Sequence, residues 1–313
     1  MIKIVVTLLI LLQAAFAFSE NLGMAEGAAH DDLVTEKPLK LSDSNLPEPE
    51  NEQPRDKDAD QQNQYKNLDD LFTLYQPYMG NISPHEPIYF LVGTDPEKSK
   101  FQLSLKYRFL NPEGSWSQAH PWLQGFHIAY TQTSYWDLES DSKPFEDTSY
   151  KPEFFYRSSN LNFMGRKVTN CFIQTGYQHE SNGQGGDNSR ATDIFYVRPI
   201  FIFYHESSQL GFSVSPKIWG YLSNEDKDLK DYRGYFDLEL ACGKADSLVA
   251  QSSFRWAKEG ASIQLDLTYP LREILFENFD IYLQVQYANS LAESLLNFRK
   301  RTKALRIGFA IIR

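Results

Sequence analysis

Only two cysteines, Cys171 and Cys242, occur in this 313-residue chain, so no disulfide framework can hold it together. Whether those two thiols pair is open in the sequence, which cannot show that their β-carbons approach. Cations are also in deficit, with 31 Lys and Arg against 41 Asp and Glu, and a net charge of -10 argues against nucleic acid as a partner. Beyond the first residues, no stretch reaches the roughly 20 apolar residues of a spanning helix. That excludes a helical membrane anchor from the body of the chain. It does not exclude a membrane β-barrel, in which only alternate strand residues face lipid, and the mean hydropathy of -0.47 is compatible with one.

What is present divides into three parts. Residues 1–17 read as a secretory signal peptide: Lys3 supplies the charge, Ile4 to Leu12 the apolar core and Ala15-Phe16-Ala17 the cleavage site. Residues 18–67 are acidic, poor in aliphatics and interrupted by Pro38, Pro47, Pro49 and Pro54, a composition expected of a disordered arm. Residues 68–313 form the folding domain, opening with a lead-in segment, Leu68 to Tyr78, and rich throughout in Tyr and Phe.

From Pro87 onward the text alternates. Phe101, Leu103, Leu105, Tyr107 and Phe109 interleave with Gln102, Ser104, Lys106 and Arg108, the two-faced pattern of a strand. Comparable segments recur to the last residue and make about twelve strands. Joints such as Gly243 to Asp246 and Lys258 to Gly260 are short, whereas Leu138 to Ser149, Leu222 to Asp231 and Asn289 to Lys303 are long and polar. Short turns at one end and long loops at the other predict an all-β fold, a twelve-stranded antiparallel transmembrane β-barrel of the outer-membrane type.

The chemistry concentrates in Tyr177 to Pro199, YQHESNGQGGDNSRATDIFYVRP. If Cys171 to Ser181 and Ala191 to Tyr204 are neighbouring antiparallel strands, the glycine-rich turn between them folds one onto the other. His179 and Ser181 then share a face, because strand side chains repeat with a period of two. A strand beginning near Asp193 brings its carboxylate beside the His179 ring, as opposed positions lie about 4.5 to 5.5 Å apart. A hydroxyl, an imidazole and a carboxylate on one face are the components of nucleophilic acyl transfer. Phe195, Val197, Phe201 and Phe203 share the parity of Asp193, so this face is also the apolar one and is expected to look outward into lipid. Taken singly, each of these residues is an ordinary strand residue. Together they leave catalysis and packing both open.

His179-Glu180-Ser181-Asn182-Gly183, followed by a loop ending in Ser189-Arg190, resembles the hallmark of the outer-membrane phospholipase A family. The likeness extends to Tyr130 to Leu138, to Ser142 to Phe145, to Phe72 to Tyr75 and to Phe101 to Leu105, and so covers most of Leu71 to Arg313. The resemblance implies a calcium-dependent, homodimeric barrel in a Gram-negative outer membrane that hydrolyses acyl esters of phospholipids, with phospholipase A1, A2 and lysophospholipase activities. It implies Ser181 as nucleophile, His179 as general base and the Gly183 N–H as oxyanion donor. Ca2+ would be held by the Gln184 carbonyl and the Ser189 hydroxyl, with a Ser142 carbonyl from the second subunit. Gln132 matches the polar residue at the dimer interface.

Three positions depart from the family pattern. Asp193 stands where the best-known pattern has Asn, Gln184-Gly185-Gly186 replaces a basic residue after Ser-Asn-Gly, and the chain ends in Ile311-Ile312-Arg313 rather than an aromatic residue. The alternative reading is a catalytically silent barrel, a porin or structural protein. It predicts loss of the Ser, the His or the Gly, and all three are present. A soluble secreted β-sandwich is disfavoured by outward apolar runs on nearly every strand.

Overall fold

In the computed structural model, residues 78–161, 170–224, 226–274 and 280–313 are described. The expected signal peptide, the acidic arm, nearly all of the lead-in segment and Phe72 to Tyr75 lie outside the described residues.

Among the described residues thirteen strands form one antiparallel sheet: β1 (Ile82–Pro84), β2 (Ile88–Gly93), β3 (Ser99–Arg108), β4 (Phe126–Trp136), β5 (Phe145–Arg157), β6 (Asn170–Ser181), β7 (Ala191–His205), β8 (Leu210–Asn224), β9 (Phe236–Gly243), β10 (Val249–Ala257), β11 (Gly260–Pro270), β12 (Tyr282–Leu291) and β13 (Arg301–Ile312). From β2 onward each strand pairs with the next, and β13 closes on β2 through Arg306↔Gly93 to Ile312↔Ile88. The result is a closed barrel of twelve strands, β2 to β13, with no free edge in the ring.

The short β1 pairs with the same neighbour as β2, Pro84 opposite Leu105 and Tyr89 opposite Gln102. It is one strand interrupted at His85-Glu86-Pro87. Pro84 and Pro87 have no N–H to give the ladder. The freed His85 ring stacks on Phe155 at 5.0 Å and reaches Glu153 at 3.4 Å.

Polarity is inside out relative to a soluble protein. Leu103, Leu105, Ile307 and Phe309 are about half exposed on the outer wall, while Gln174, Gln286 and Arg306 are fully buried within. Interior charges are paired: Arg198 with Glu239 and Glu86, and Arg233 with Glu180. They line a cavity of about 540 Å³. No helix among the described residues is long and apolar enough to cross a membrane, and the strands carry the apolar wall instead.

One end of the barrel carries the connections 94–98, 137–144, 182–190, 225–235, 258–259 and 292–300. There the helix α1 (Leu229–Arg233) and the 292–300 loop pack Leu229, Ala292, Leu295 and Phe298 into a small apolar cluster. Beneath it Glu293 bonds Lys100 at 3.3 Å and Arg306 at 2.7 Å. Burial opposes ionisation of Glu293, but Lys100 and Arg306 overcome it and hold its carboxyl at about 2.

The loop pattern corrects the expectation. The tight turn at 258–259 lies at the same end as the long loops, and the opposite end carries the long connection 109–125. Strands also run further than their alternation: β5 begins at Phe145, inside the expected loop 138–149, and β8 continues past Leu222. Cross-strand hydrogen bonds extend these strands where the side chains are already polar. Cys171 and Cys242 are both free thiols, one buried and the other half-buried.

Candidate active site

The 170–205 hairpin has the register that the alternation predicts. His179 is directly opposite Asp193, Ser181 opposite Ala191 and Tyr177 opposite Phe195. Near the turn the odd-numbered residues of both strands face out: Ile173, Tyr177, Phe195 and Val197 are exposed, while Gln174, Glu180 and Tyr196 are buried inside. His179 and Ser181 stand two apart on this outer face, at the end where β6 enters the turn.

His179 Nδ1 lies 2.8 Å from Asp193 Oδ1. An ionised carboxylate only accepts, so the ring proton sits on Nδ1 and Nε2 is left as the basic nitrogen. The Tyr177 hydroxyl donates to the same Asp193 Oδ1 at 2.5 Å. Ser223, paired with Asp193 across β7 and β8, also interacts with that carboxylate. No hydrogen bond joins Ser181 to His179 among the described residues, so the structure places them side by side without bonding them.

The turn is held by Asn182, which is almost fully buried. Its Nδ2 donates to the Asn188 carbonyl at 2.9 Å, and its Oδ1 accepts from the Arg190 N–H at 3.0 Å and the Gln184 N–H at 3.3 Å. Arg190 adds bonds to the Asp187 and Ser189 carbonyls and pairs with Asp226 at 3.2 Å. With its side chain thus spanning the loop, Asn182 fixes the path that glycine begins. Gly183 has φ +67, a left-handed conformation, and no acceptor among the described residues is bonded to its N–H.

A cross-strand row crosses the wall at the level of Ser181. Leu103 pairs with Gln132, Gln132 with Tyr150, and Tyr150 with Ser181. Gln132 is partly exposed on the apolar face and accepts from the Tyr130 hydroxyl at 3.2 Å. Gln184 and Ser189 lie in the 182–190 turn. Ser142 is exposed in the separate 137–144 loop, where Lys143 has φ 47 and no hydrogen bond reaches the turn from Ser142 among the described residues. No cluster of His, Cys, Asp and Glu able to hold a metal occurs among the described residues. The turn offers neutral oxygens, the hard donors that suit calcium in a weak site.

The sequence named Ser181, His179, Asp193 and Gly183, and the fold brings them onto one outward-facing patch. It did not single out Tyr177, Tyr150 or the buried Asn182. Period-two counting puts Tyr177 on the face of His179 but gives it no role there, whereas Tyr150 depends on the β5 to β6 register.

Known proteins resemble this chain. The model of a family described as Phospholipase A1 matches residues 59–311. Phospholipase A1 of Escherichia coli strain K12 is 26% identical over 186 residues, which is 58% of this chain and 60% of that protein. Outer membrane phospholipase A from Escherichia coli superposes with a TM-score of 0.60 at 21% identity, over 74% of this chain and 94% of that one. The Salmonella typhi outer membrane phospholipase, solved as a dimer with bound calcium, gives a TM-score of 0.61 at 20% identity, over 74% of this chain and 92% of that one.

Proposed function

The chain belongs to the phospholipase A1 family, and from that premise we propose that it hydrolyses acyl ester bonds of phospholipids at the outer wall of its barrel. In this reading it sits in an outer membrane of the Gram-negative type, which its closed barrel and its likeness to the outer membrane phospholipase A of Escherichia coli support. The observation that carries the hydrolytic reading is the Nδ1 to Oδ1 bond of His179 and Asp193, on the lipid-facing side, beside Ser181.

In this reading Ser181 Oγ attacks the acyl carbonyl while His179 Nε2 takes its proton. Asp193 keeps the ring in the tautomer that leaves Nε2 free, and stabilises the imidazolium that forms. The Gly183 N–H donates to the oxygen on which charge develops, a contact whose loss typically costs about 100-fold or more in rate. The tetrahedral intermediate collapses, the bond to the glyceryl oxygen breaks, and His179 returns the proton to that leaving alcohol. Water, activated by the same nitrogen, then releases the fatty acid from Ser181. Either ester position of a phospholipid, or the remaining ester of a lysophospholipid, satisfies this chemistry.

Calcium fits the donors present: the Gln184 carbonyl and the Ser189 hydroxyl would hold it, together with the Ser142 carbonyl of a second copy. Once bound it supplies Lewis-acid stabilisation of developing negative charge. Gln132, a polar side chain on an apolar wall, suits the contact between the two copies. Asp193 in place of Asn keeps the acceptor and adds a charge.

The test is fatty-acid release from phospholipid by the detergent-solubilised chain, with calcium or with chelator, beside Ser181→Ala. Calcium-dependent release that disappears in the variant supports the reading. A folded dimeric barrel that releases nothing would overturn it in favour of the silent barrel.

A further inference from the structure

An ionised carboxylate on the wall that faces lipid is an expensive group unless donors surround it. Asp193 is such a group, with its side chain about one-fifth exposed on the outer face. Unlike an amide it has no proton to give, and each of its oxygens can accept more than one. His179 supplies one donor to Oδ1 and the Tyr177 hydroxyl supplies a second to that same oxygen at 2.5 Å. Tyr177 reaches it because Tyr177 and His179 share a face of β6 and Asp193 lies directly across from His179.

We infer that Tyr177 is a positioning residue for the hydrolytic reaction: its hydroxyl anchors Asp193 Oδ1 against His179 Nδ1 and offsets the charge that Asp193 brings to the membrane wall. This rests on the proposed triad. A tyrosine at this height could instead serve only as an interfacial aromatic ring, a role that Phe fills equally well. Two observations favour the hydroxyl. It is spent on the carboxylate rather than on backbone, and it meets the oxygen that His179 uses, not the other one. Held from two sides, Oδ1 cannot rotate away from the ring, so the tautomer with a basic Nε2 persists.

The experiment uses the full chain in detergent as wild type, Tyr177→Phe, Asp193→Asn and the double variant, each first checked for heat-modifiable migration of the folded barrel. Tyr177→Phe lowers kcat by about tenfold or more, the scale of one hydrogen bond to a charged group, with KM held within about twofold. On the Asp193→Asn background the same change costs less than about threefold, because a neutral amide carries no charge to offset. In parallel, 15N NMR of histidine-labelled protein reads the ring directly: Nδ1–H in the wild type, a mixture of tautomers in Tyr177→Phe. Equal losses on both backgrounds, full activity of Tyr177→Phe, or an unchanged tautomer would overturn the inference. If the wild type itself releases no fatty acid, the hydrolytic reading falls, and the tautomer measurement still decides the role of Tyr177.

Discussion

Tyr150 lies so close under Gly183 that a β-carbon at position 183 would fall 2.8 Å from its Cε2. The contact arises because β5 and β6 pair Tyr150 with Ser181, which puts the ring beneath the first residues of the turn. The backbone sign therefore favours glycine, and any β-carbon there would force the Tyr150 ring to give way.

Gly183→Ala carries the left-handed strain and the Tyr150 clash together. It should lower hydrolysis by about 100-fold or more while the barrel folds normally, since a displaced oxyanion donor acts on the transition state alone. Combining it with Tyr150→Ala relieves the clash but not the strain, so activity should return in part. Steady-state kinetics of the two variants decide this. Full recovery in the double variant would assign the whole effect to space.

Asp193→Ala removes the acceptor that fixes the His179 tautomer, and should reduce kcat by about 1,000-fold or more. Asp193→Asn keeps an acceptor oxygen and puts at this place the residue of the pattern that the chain resembles, so it should stay within about tenfold of wild type. Fatty-acid release by the two variants separates a need for a negative charge from a need for an acceptor. Equal, deep losses would mean that the charge itself is required.

Asn182→Ala leaves Asn188, Arg190 and Gln184 without their shared partner, at about 1 kcal/mol for each neutral hydrogen bond. The turn that holds Gln184 and Ser189 should loosen. The expected outcome is a rise of about tenfold in the calcium concentration for half-maximal activity, in a barrel that still folds. A titration with calcium is the check, and an unshifted midpoint would show that the turn holds its shape without Asn182.

Glu293 sets the acid limit of the 292–300 loop. Its folded carboxyl is held at about 2, below the ordinary value of 4.5, so it contributes stability that is fully present above 4.5 and is lost as pH falls through about 2. Peptic cleavage of the loop should therefore accelerate in the wild type only below about pH 3. Glu293→Gln leaves Lys100 and Arg306 without their buried counter-charge, a loss on the order of 3 kcal/mol, and should be cut readily at pH 4 already. Identical cleavage of both proteins across this range would remove Glu293 from the account.

The barrel and the hairpin were legible because both follow from a period of two. Once β6 and β7 are read as partners across a glycine-rich turn, His179 and Asp193 must meet, and Ser181 must share their face. Loop lengths were less legible. Alternation stops at Ser149 and Leu222 in the text, yet backbone pairing carries β5 back to Phe145 and β8 onward to Asn224, because ladder hydrogen bonds do not depend on side-chain polarity. The interruption at His85-Glu86-Pro87 was hidden for another reason: it is set by what the His85 ring finds inside, Phe155 and Glu153 on a distant strand. Tyr150 and the cluster of Leu229 with Phe298 likewise depend on partners far along the chain.

The outward aim of Ser181 changes the dimensionality of the encounter. On the proposed reading, substrate does not enter from solution; it arrives sideways by lateral diffusion, and only water and the cation come from the aqueous side. The effective concentration is then the mole fraction of hydrolysable lipid in the leaflet that bathes this end of the barrel. A membrane that keeps such lipid out of that leaflet keeps the enzyme idle, and any breach of the asymmetry supplies substrate at once.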